Sequence, residues 1–256
     1  MPRLLVVNPN TSQAMTAIIR VSAECAARSL GAEVDTVCAS SGPQSIEGRF
    51  DEIVSAYWTL DTVMRLAASY DGIVVACFSQ HVVIEGIREA TEIPTVGILE
   101  ASVLCALPLG ARFSVVTTSP RWEPLLADGL RSLGLHERCA SVRSSGLAVL
   151  DLDRLPHQAV LERLAQQAEL AIAHDGAEVI VLGCAGMAGL QDAVAQRVHV
   201  PVIDAVAAGV SLVAALANAG ARTSKRNLYR PVLPRPGADL PAGLAQVYGS
   251  GPTSDT

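Results

Sequence analysis

The chain has 256 residues, enough for one large domain or two small ones with a substantial buried core. Half of the residues are hydrophobic and 17% are charged, which excludes an intrinsically disordered chain. The formal net charge of −6 argues against a nucleic-acid-binding protein with a basic surface. The longest apolar run, residues 205–219, is interrupted by Gly and Ser and is too short for a membrane span. The first residues show no export signal, so we expect a cytoplasmic protein.

Short β-rich runs alternate with helical patterns along the chain, which predicts an α/β fold with mostly parallel sheets. The first half is predicted to contain strands at residues 3–7, 33–38, 72–77 and 94–98 and helices at residues 11–30, 51–69, 83–90 and 101–107. The second half is predicted to contain strands at residues 113–117, 178–182 and 201–203 and helices at residues 121–133, 156–174, 190–197 and 205–219.

The two halves repeat one another. Residues 70–77 and 176–184 are both apolar strands that lead into a cysteine, and 17 residues separate Cys77 from Pro94 and Cys184 from Pro201 alike. Residues 3–8 likewise match residues 112–117. The repeat predicts two pseudosymmetric doubly wound lobes, the first from residues 1–98 plus about 205–221 and the second from residues 99–204. Residues 222–256 are rich in Pro and Gly and are expected to form a flexible tail or an arm packed on a neighbouring subunit.

Two of the six cysteines stand where a functional site is expected. Ligands of parallel sheets bind beyond the carboxyl ends of the strands, and Cys77 and Cys184 each follow such a strand. Backbone amides and a helix N-terminus at these positions are expected to favour the thiolate form. The other four cysteines are interpreted as structural, because free cysteine is usually a small buried hydrophobe.

Two equivalent thiols facing each other across a cleft suit one chemistry. Inversion of a carbon acid needs a base on one face and an acid on the other, and the two exchange roles in the reverse direction. The carbanion also needs hydrogen-bond donors for its enolate oxygen. The candidate donors and orienting side chains are Asn8, Ser79, Gln80, Thr117, Thr118, Ala185 and Gly186.

Other readings of these residues stay open. His81 could pair with Cys77 as a nucleophilic couple, or it could be a polar loop residue. A decarboxylase or a cis–trans isomerase would need only one of the thiols, and a non-catalytic ligand-binding protein would need neither. The sequence contains no phosphate-binding loop, no dinucleotide-binding glycine motif and no metal-ligand spacing, so neither a cofactor nor a metal is expected.

In the order and spacing of its motifs the sequence resembles the aspartate/glutamate racemase superfamily, and most closely its hydantoin/allantoin racemase branch. The matching stretches are residues 8–12, 42–48, 51–52, 76–78, 112–118, 182–187 and 201–204. The resemblance implies a cofactor-independent racemase of cyclic ureides that forms a homo-oligomer, with Cys77 and Cys184 as the acid/base pair. Asn8, Ile46, Thr117, Thr118 and the loops after the cysteines, which include Phe78, match positions at the family's cleft.

The sequence departs from the family in the loop after the first cysteine. Members commonly carry Gly-Asp-Pro-Gly there, whereas this chain has Phe78-Ser79-Gln80-His81, without the proline or the acidic residue. This loop forms a lip of the pocket, so the departure bears on the substrate rather than on the chemistry.

Overall fold

The computed structural model describes residues 1–235 and 239–249. The strands are β1 (Arg3–Asn8), β2 (Glu33–Cys38), β3 (Gly72–Val75), β4 (Thr95–Gly97), β5 (Phe113–Thr117), β6 (Cys139–Ser144), β7 (Val179–Leu182) and β8 (Val202–Ile203). The helices are α1 (Gln13–Ser29), α2 (Arg49–Leu66), α3 (Val83–Ala90), α4 (Ile98–Ala106), α5 (Trp122–Ser132), α6 (Asp151–Arg154), α7 (His157–Leu170), α8 (Gln191–Val198), α9 (Ala205–Asn218) and α10 (Ala242–Gly249). The predicted α/β class is therefore confirmed.

The strands form two four-stranded parallel sheets with the same internal order. The first sheet runs β2-β1-β3-β4, and the second runs β6-β5-β7-β8. The central strands β1, β3, β5 and β7 are almost wholly buried, as expected for parallel strands that helices cover on both faces. This identical order confirms the two pseudosymmetric lobes, whereas the exact lobe boundaries stay a prediction.

Local sequence explains where helix α1 begins and which face it buries. The Ser12 hydroxyl accepts a hydrogen bond from the Met15 amide and caps the helix. Met15, Ile19, Ala23 and Ala27 then recur every fourth residue and are buried. Helix α9 begins in the same way, because the Asp204 carboxylate accepts the amides of Val206 and Ala207.

The sequence prediction missed three elements, which are strand β6, the short helix α6 and helix α10. The predicted strands leave out residues 139–144, whereas Cys139 is the first residue of the edge strand β6. Part of the segment predicted as a tail forms helix α10, which packs against α2, where the Gly243 amide donates to the Asp61 carboxylate. The other tail residues up to 235 also touch the first lobe, since Thr223 and Lys225 bond backbone carbonyls near α3.

None of the helices in residues 1–235 and 239–249 is long and apolar enough to cross a membrane.

Candidate active site

A cavity lies where the carboxyl ends of the two sheets meet. Cys77 comes two residues after the end of β3, Cys184 comes two residues after the end of β7, and both line this cavity. The space free of protein atoms is about 380 Å³, counting the part open to solvent. The two sulfurs are close enough for each other's charge to matter, since Cys184 contributes to the raised pKa of Cys77.

The first thiol has an oxygen-rich neighbourhood. The Cys77 Sγ and Ser79 Oγ atoms lie 3.5 Å apart, and the carboxylate of Glu52, on the first turn of α2, acts on the thiol electrostatically. Burial raises the pKa of Cys77 far above its ordinary value, and the negative charge of Glu52 raises it further. The Ser79 hydroxyl opposes this shift without reversing it.

The second thiol has one backbone donor and one carboxylate nearby. Burial raises the pKa of Cys184 to about 12, although the Gly186 amide donates towards the sulfur and lowers it. Glu47, which precedes α2, adds a smaller upward effect. The Glu47 Oε1 atom accepts the Val149 amide at 3.1 Å, so this carboxylate joins a loop of the second half to the first.

The expected preference for thiolate is therefore wrong for the unliganded protein. The predicted amide donor is present at Cys184, but the loss of hydration around both sulfurs outweighs one hydrogen bond and the weak field of a short helix. Burial therefore favours the neutral form of both thiols.

The candidate substrate-binding residues divide into two groups. Ile46, Phe78, Thr118 and Ala185 line the cavity, and the Gly186 amide reaches Cys184 directly beside it. The remaining candidates, which are not among the lining residues, are Asn8, Ser79, Gln80 and Thr117.

Asn8 and Thr117 lie one layer behind the cavity. The buried Asn8 amide group donates to Asn10 Oδ1 at 2.8 Å and to Thr16 Oγ1 at 3.0 Å, and so holds Asn10 at the cavity wall. Thr117 donates its hydroxyl to the Gly183 carbonyl at 3.1 Å, directly before Cys184. Gln80 turns away, because its side chain donates to Ser132 on α5.

The prediction missed several residues of the cavity wall. These are Pro9, Met15, Ala76, Trp122, Val149 and Gly183. Pro9, Ala76 and Gly183 adjoin predicted residues, so the strand-end rule could have included them. Trp122 and Val149 carry no local signal, since only tertiary packing brings α5 and the loop before α6 to this edge.

His81 does not pair with Cys77. Its Nε2 atom lies 3.0 Å from Ser55 Oγ and its Nδ1 atom accepts the Val83 amide at 3.3 Å, so both ring nitrogens are engaged elsewhere. Burial lowers the pKa of His81 to about 4, which keeps the ring neutral. The Cys–His couple considered from the sequence is therefore wrong.

A cluster of three or more side chains able to hold a metal ion is not found in the described ranges 1–235 and 239–249. The ionisable groups at the cavity are the two thiols that line it and the carboxylates of Glu47 and Glu52, whose charges act on those thiols.

Comparison with known proteins identifies the family of the chain. Residues 4–213 match the family model described as Asp/Glu/Hydantoin racemase. The chain is 39% identical to a hydantoin racemase of Pseudomonas sp. (strain NS671) over 89% of its own length and 91% of that protein's. The chain belongs to the Asp/Glu/hydantoin racemase family.

Two solved structures extend the likeness to three dimensions. Allantoin racemase from Pseudomonas fluorescens is 42% identical with a TM-score of 0.88, and the match covers 92% of this chain and 99% of that one. Allantoin racemase from Klebsiella pneumoniae is 36% identical with a TM-score of 0.86, over 95% and 99% of the two chains.

Proposed function

We propose that this protein is a cofactor-independent racemase or epimerase that inverts a carbon acid of a cyclic ureide, using Cys77 and Cys184 as its two acid/base groups. The observation that carries the proposal is that two thiols from equivalent positions of the two repeated halves line one cavity. A two-base inversion requires a base and an acid on opposite faces of one carbon, and two matched thiols can exchange these roles.

The reaction moves two protons. The thiolate of one cysteine removes the proton from the stereogenic carbon, and the electron pair passes into the adjacent carbonyl as an enolate. The neutral thiol of the other cysteine then donates its proton to the opposite face of that carbon. The product is the enantiomer, and the two sulfurs have exchanged protonation states. Because the reverse reaction starts from that exchanged state, the same pair serves both directions.

The cavity wall suits a small neutral ring. Ile46, Trp122 and Val149 supply apolar contacts, while Asn10 and Thr118 supply hydrogen-bonding groups. The Ala185 amide, beside Cys184, is the donor that we assign to the enolate oxygen, while the Gly186 amide donates to the Cys184 sulfur. The named relatives act on hydantoins or allantoin, which supports a 5-substituted hydantoin or allantoin as the substrate.

The experiment follows optical rotation and deuterium incorporation for single enantiomers of allantoin and of 5-substituted hydantoins in D2O. Cys77→Ser and Cys184→Ser should each lower racemisation by about 10³-fold, because each removes one of the two proton-transfer groups. Each variant should still exchange the carbon-bound proton of one enantiomer, and the two variants should favour opposite enantiomers. Cys25→Ser is the matched control, since Cys25 is exposed on α1.

Other outcomes decide between the remaining functions. Loss of activity in only one of the two variants favours a one-thiol decarboxylase or isomerase, and full racemisation in either variant contradicts the proposal. Ligand-induced stabilisation without turnover of any ureide favours a binding protein. The homo-oligomeric state is also proposed, and sedimentation velocity of the purified chain tests it.

A further inference from the structure

Glu52 is a buried carboxylate that has no role in the two-thiol reaction as proposed above. Its side chain lies on the first turn of α2, and the residue is only 4% exposed. The Oε2 atom is 3.6 Å from the Arg49 guanidinium, whereas Oε1 has no hydrogen bond of full geometry to any residue in the described part of the chain. A buried carboxylate oxygen without a full hydrogen bond lowers the stability of the fold, and a functional role would explain why it is kept.

Ser79 stands between this carboxylate and the first thiol. Its hydroxyl is 3.5 Å from Cys77 Sγ, and either atom of that pair can be the donor. The same hydroxyl interacts with the Glu52 carboxyl. A serine hydroxyl both donates and accepts, so it can accept from the thiol while donating to the carboxylate.

We infer that Glu52 is a positioning residue that receives the proton of Cys77 through the Ser79 hydroxyl and thereby creates the thiolate that the proposed racemisation needs. The Cys77 S–H proton passes to Ser79 Oγ while the Ser79 hydroxyl proton passes to Glu52 Oε1. No electrons are exchanged with any other group. The negative charge moves from Glu52 to the sulfur, and the net charge of the cavity does not change.

The electrostatics of the pair favour a shared proton. Burial raises the pKa of Glu52, and the charge of Glu52 in turn raises the pKa of Cys77. Once Glu52 holds the proton this repulsion disappears, so ionised thiol and ionised carboxylate exclude one another and titrate as one coupled pair. The ionisable groups around Glu52 are Arg49 on its own helix and Cys77, while the neutral His81 is one turn away through Ser55.

The inference rests on the proposed function for its purpose but is tested without substrate. Iodoacetamide alkylates thiolate, and mass spectrometry of the peptides gives a separate rate for each cysteine. In the native protein an internal proton transfer makes the Cys77 thiolate population independent of pH, so its alkylation rate should stay constant across about two pH units around neutrality. Cys184 in the same sample should react about tenfold faster per pH unit.

The variants separate a relay from a merely structural role. Glu52→Gln keeps the shape of the side chain but cannot take the proton, so Cys77 alkylation should rise about tenfold per pH unit, like that of Cys184. Ser79→Ala should lower the constant rate by about tenfold, because the thiolate loses its hydroxyl donor, and Ser79→Thr should restore it. Glu47→Gln, the matched change beside Cys184, should leave the constant Cys77 profile intact.

The results distinguish this inference from the proposed function. A native Cys77 rate that rises about tenfold per pH unit, with the same slope in Glu52→Gln, overturns the relay whether or not the protein racemises ureides. A constant native rate that Glu52→Gln abolishes supports the relay even if hydantoins and allantoin prove not to be substrates. Circular dichroism of each variant verifies that it is folded before its rates are compared.

Discussion

Cys77 and Cys184 hold the same position in two sheets of identical strand order, each two residues beyond one of the two central strands of its sheet. Thr117, at the end of β5, supports the second position by bonding the carbonyl of Gly183. In the first half the strand end is instead tied by Asn8, whose side chain fixes Asn10 and Thr16. The two thiols therefore share a backbone setting but differ in the side chains that hold it.

Gly183, next to the second thiol, has no room for a side chain. A Cβ atom there would lie 2.6 Å from Val115 Cγ1 and 3.1 Å from the Val116 carbonyl oxygen, within the packed strand edge. We expect Gly183→Ala to lower the free energy of unfolding by about 1–3 kcal/mol and to reduce activity through displacement of Cys184. Urea denaturation and racemisation assays measure the two effects.

Gly86→Ala is the control for that substitution. Its Cβ would meet Leu60 at an ordinary 3.6 Å, and Gly86 lies within helix α3. Alanine is the better helix former by about 1 kcal/mol, so this variant should be as stable as the native protein or more so. Equal behaviour of the two variants would contradict the packing argument.

Asp204 ties helix α9 to the loop that follows Cys184. Besides capping the helix, its Oδ2 atom accepts the Gly189 amide at 2.8 Å and the Ser22 hydroxyl at 3.0 Å. Asp204→Ala should lower the free energy of unfolding by about 2 kcal/mol or more, because the cap and both further bonds are lost together. Asp204→Asn keeps one cap-accepting oxygen and should lose less in thermal denaturation; an equal loss would show that the cap contributes little.

His81 makes stability depend on pH in a defined direction. The pKa of this buried ring falls from its ordinary 6.5 to about 4, so the unfolded chain binds a proton in this range that the folded chain does not. The contribution of the neutral His81 ring to the free energy of unfolding is fully present above pH 6.5 and is lost as the pH falls towards 4. The total loss is about 3 kcal/mol.

Denaturation of the native protein and of His81→Gln between these pH values measures that contribution. The variant should be less stable at neutral pH, because the bonds to Ser55 and Val83 are altered, but its stability should fall less on acidification. Parallel pH profiles for the two proteins would assign the acid sensitivity to other groups.

Helix α10 docks through a glycine. A Cβ atom at Gly243 would lie 2.4 Å from the backbone oxygen of Asp61, which cannot move aside without disturbing α2. Gly243→Ala should release α10 and speed chymotryptic cleavage after Leu244, which is buried in the docked helix. Gly249→Ala, whose Cβ has no atom within 4 Å among the described residues, should leave the digestion rate unchanged.

The repeated architecture can be predicted from the sequence because the patterns that indicate it are local. Buried parallel strands read as continuous apolar runs, and a repeat of strand, cysteine and proline aligns the halves without further information. Strand β6 escapes this reading because it is a half-buried edge strand whose polar residues, such as Ser141 and Arg143, interrupt any apolar run. Its partner is chosen by tertiary pairing with β5.

The positions of the thiols could be predicted, but their ionisation could not. Cysteines at strand ends are visible in the sequence, whereas the extent of desolvation depends on distant residues such as Trp122 and Val149 that close the cavity. The influence of Glu47 and Glu52 on the sulfurs is equally a product of how α2 packs. Burial by residues that are distant in sequence therefore raises the pKa of both thiols, whereas the argument from the nearby helix ends predicted that it falls.

The hydrogen bond from the Val149 amide to Glu47 joins the two halves of the molecule. It lies beside the cavity, because Val149 and Ile46, the neighbour of Glu47, both line it. Any separation of the halves that widens the entrance breaks this bond and sets the Glu47 carboxylate free to hydrate. Hydration screens the Glu47 charge, so its upward effect on the pKa of Cys184 would weaken whenever the two halves separate.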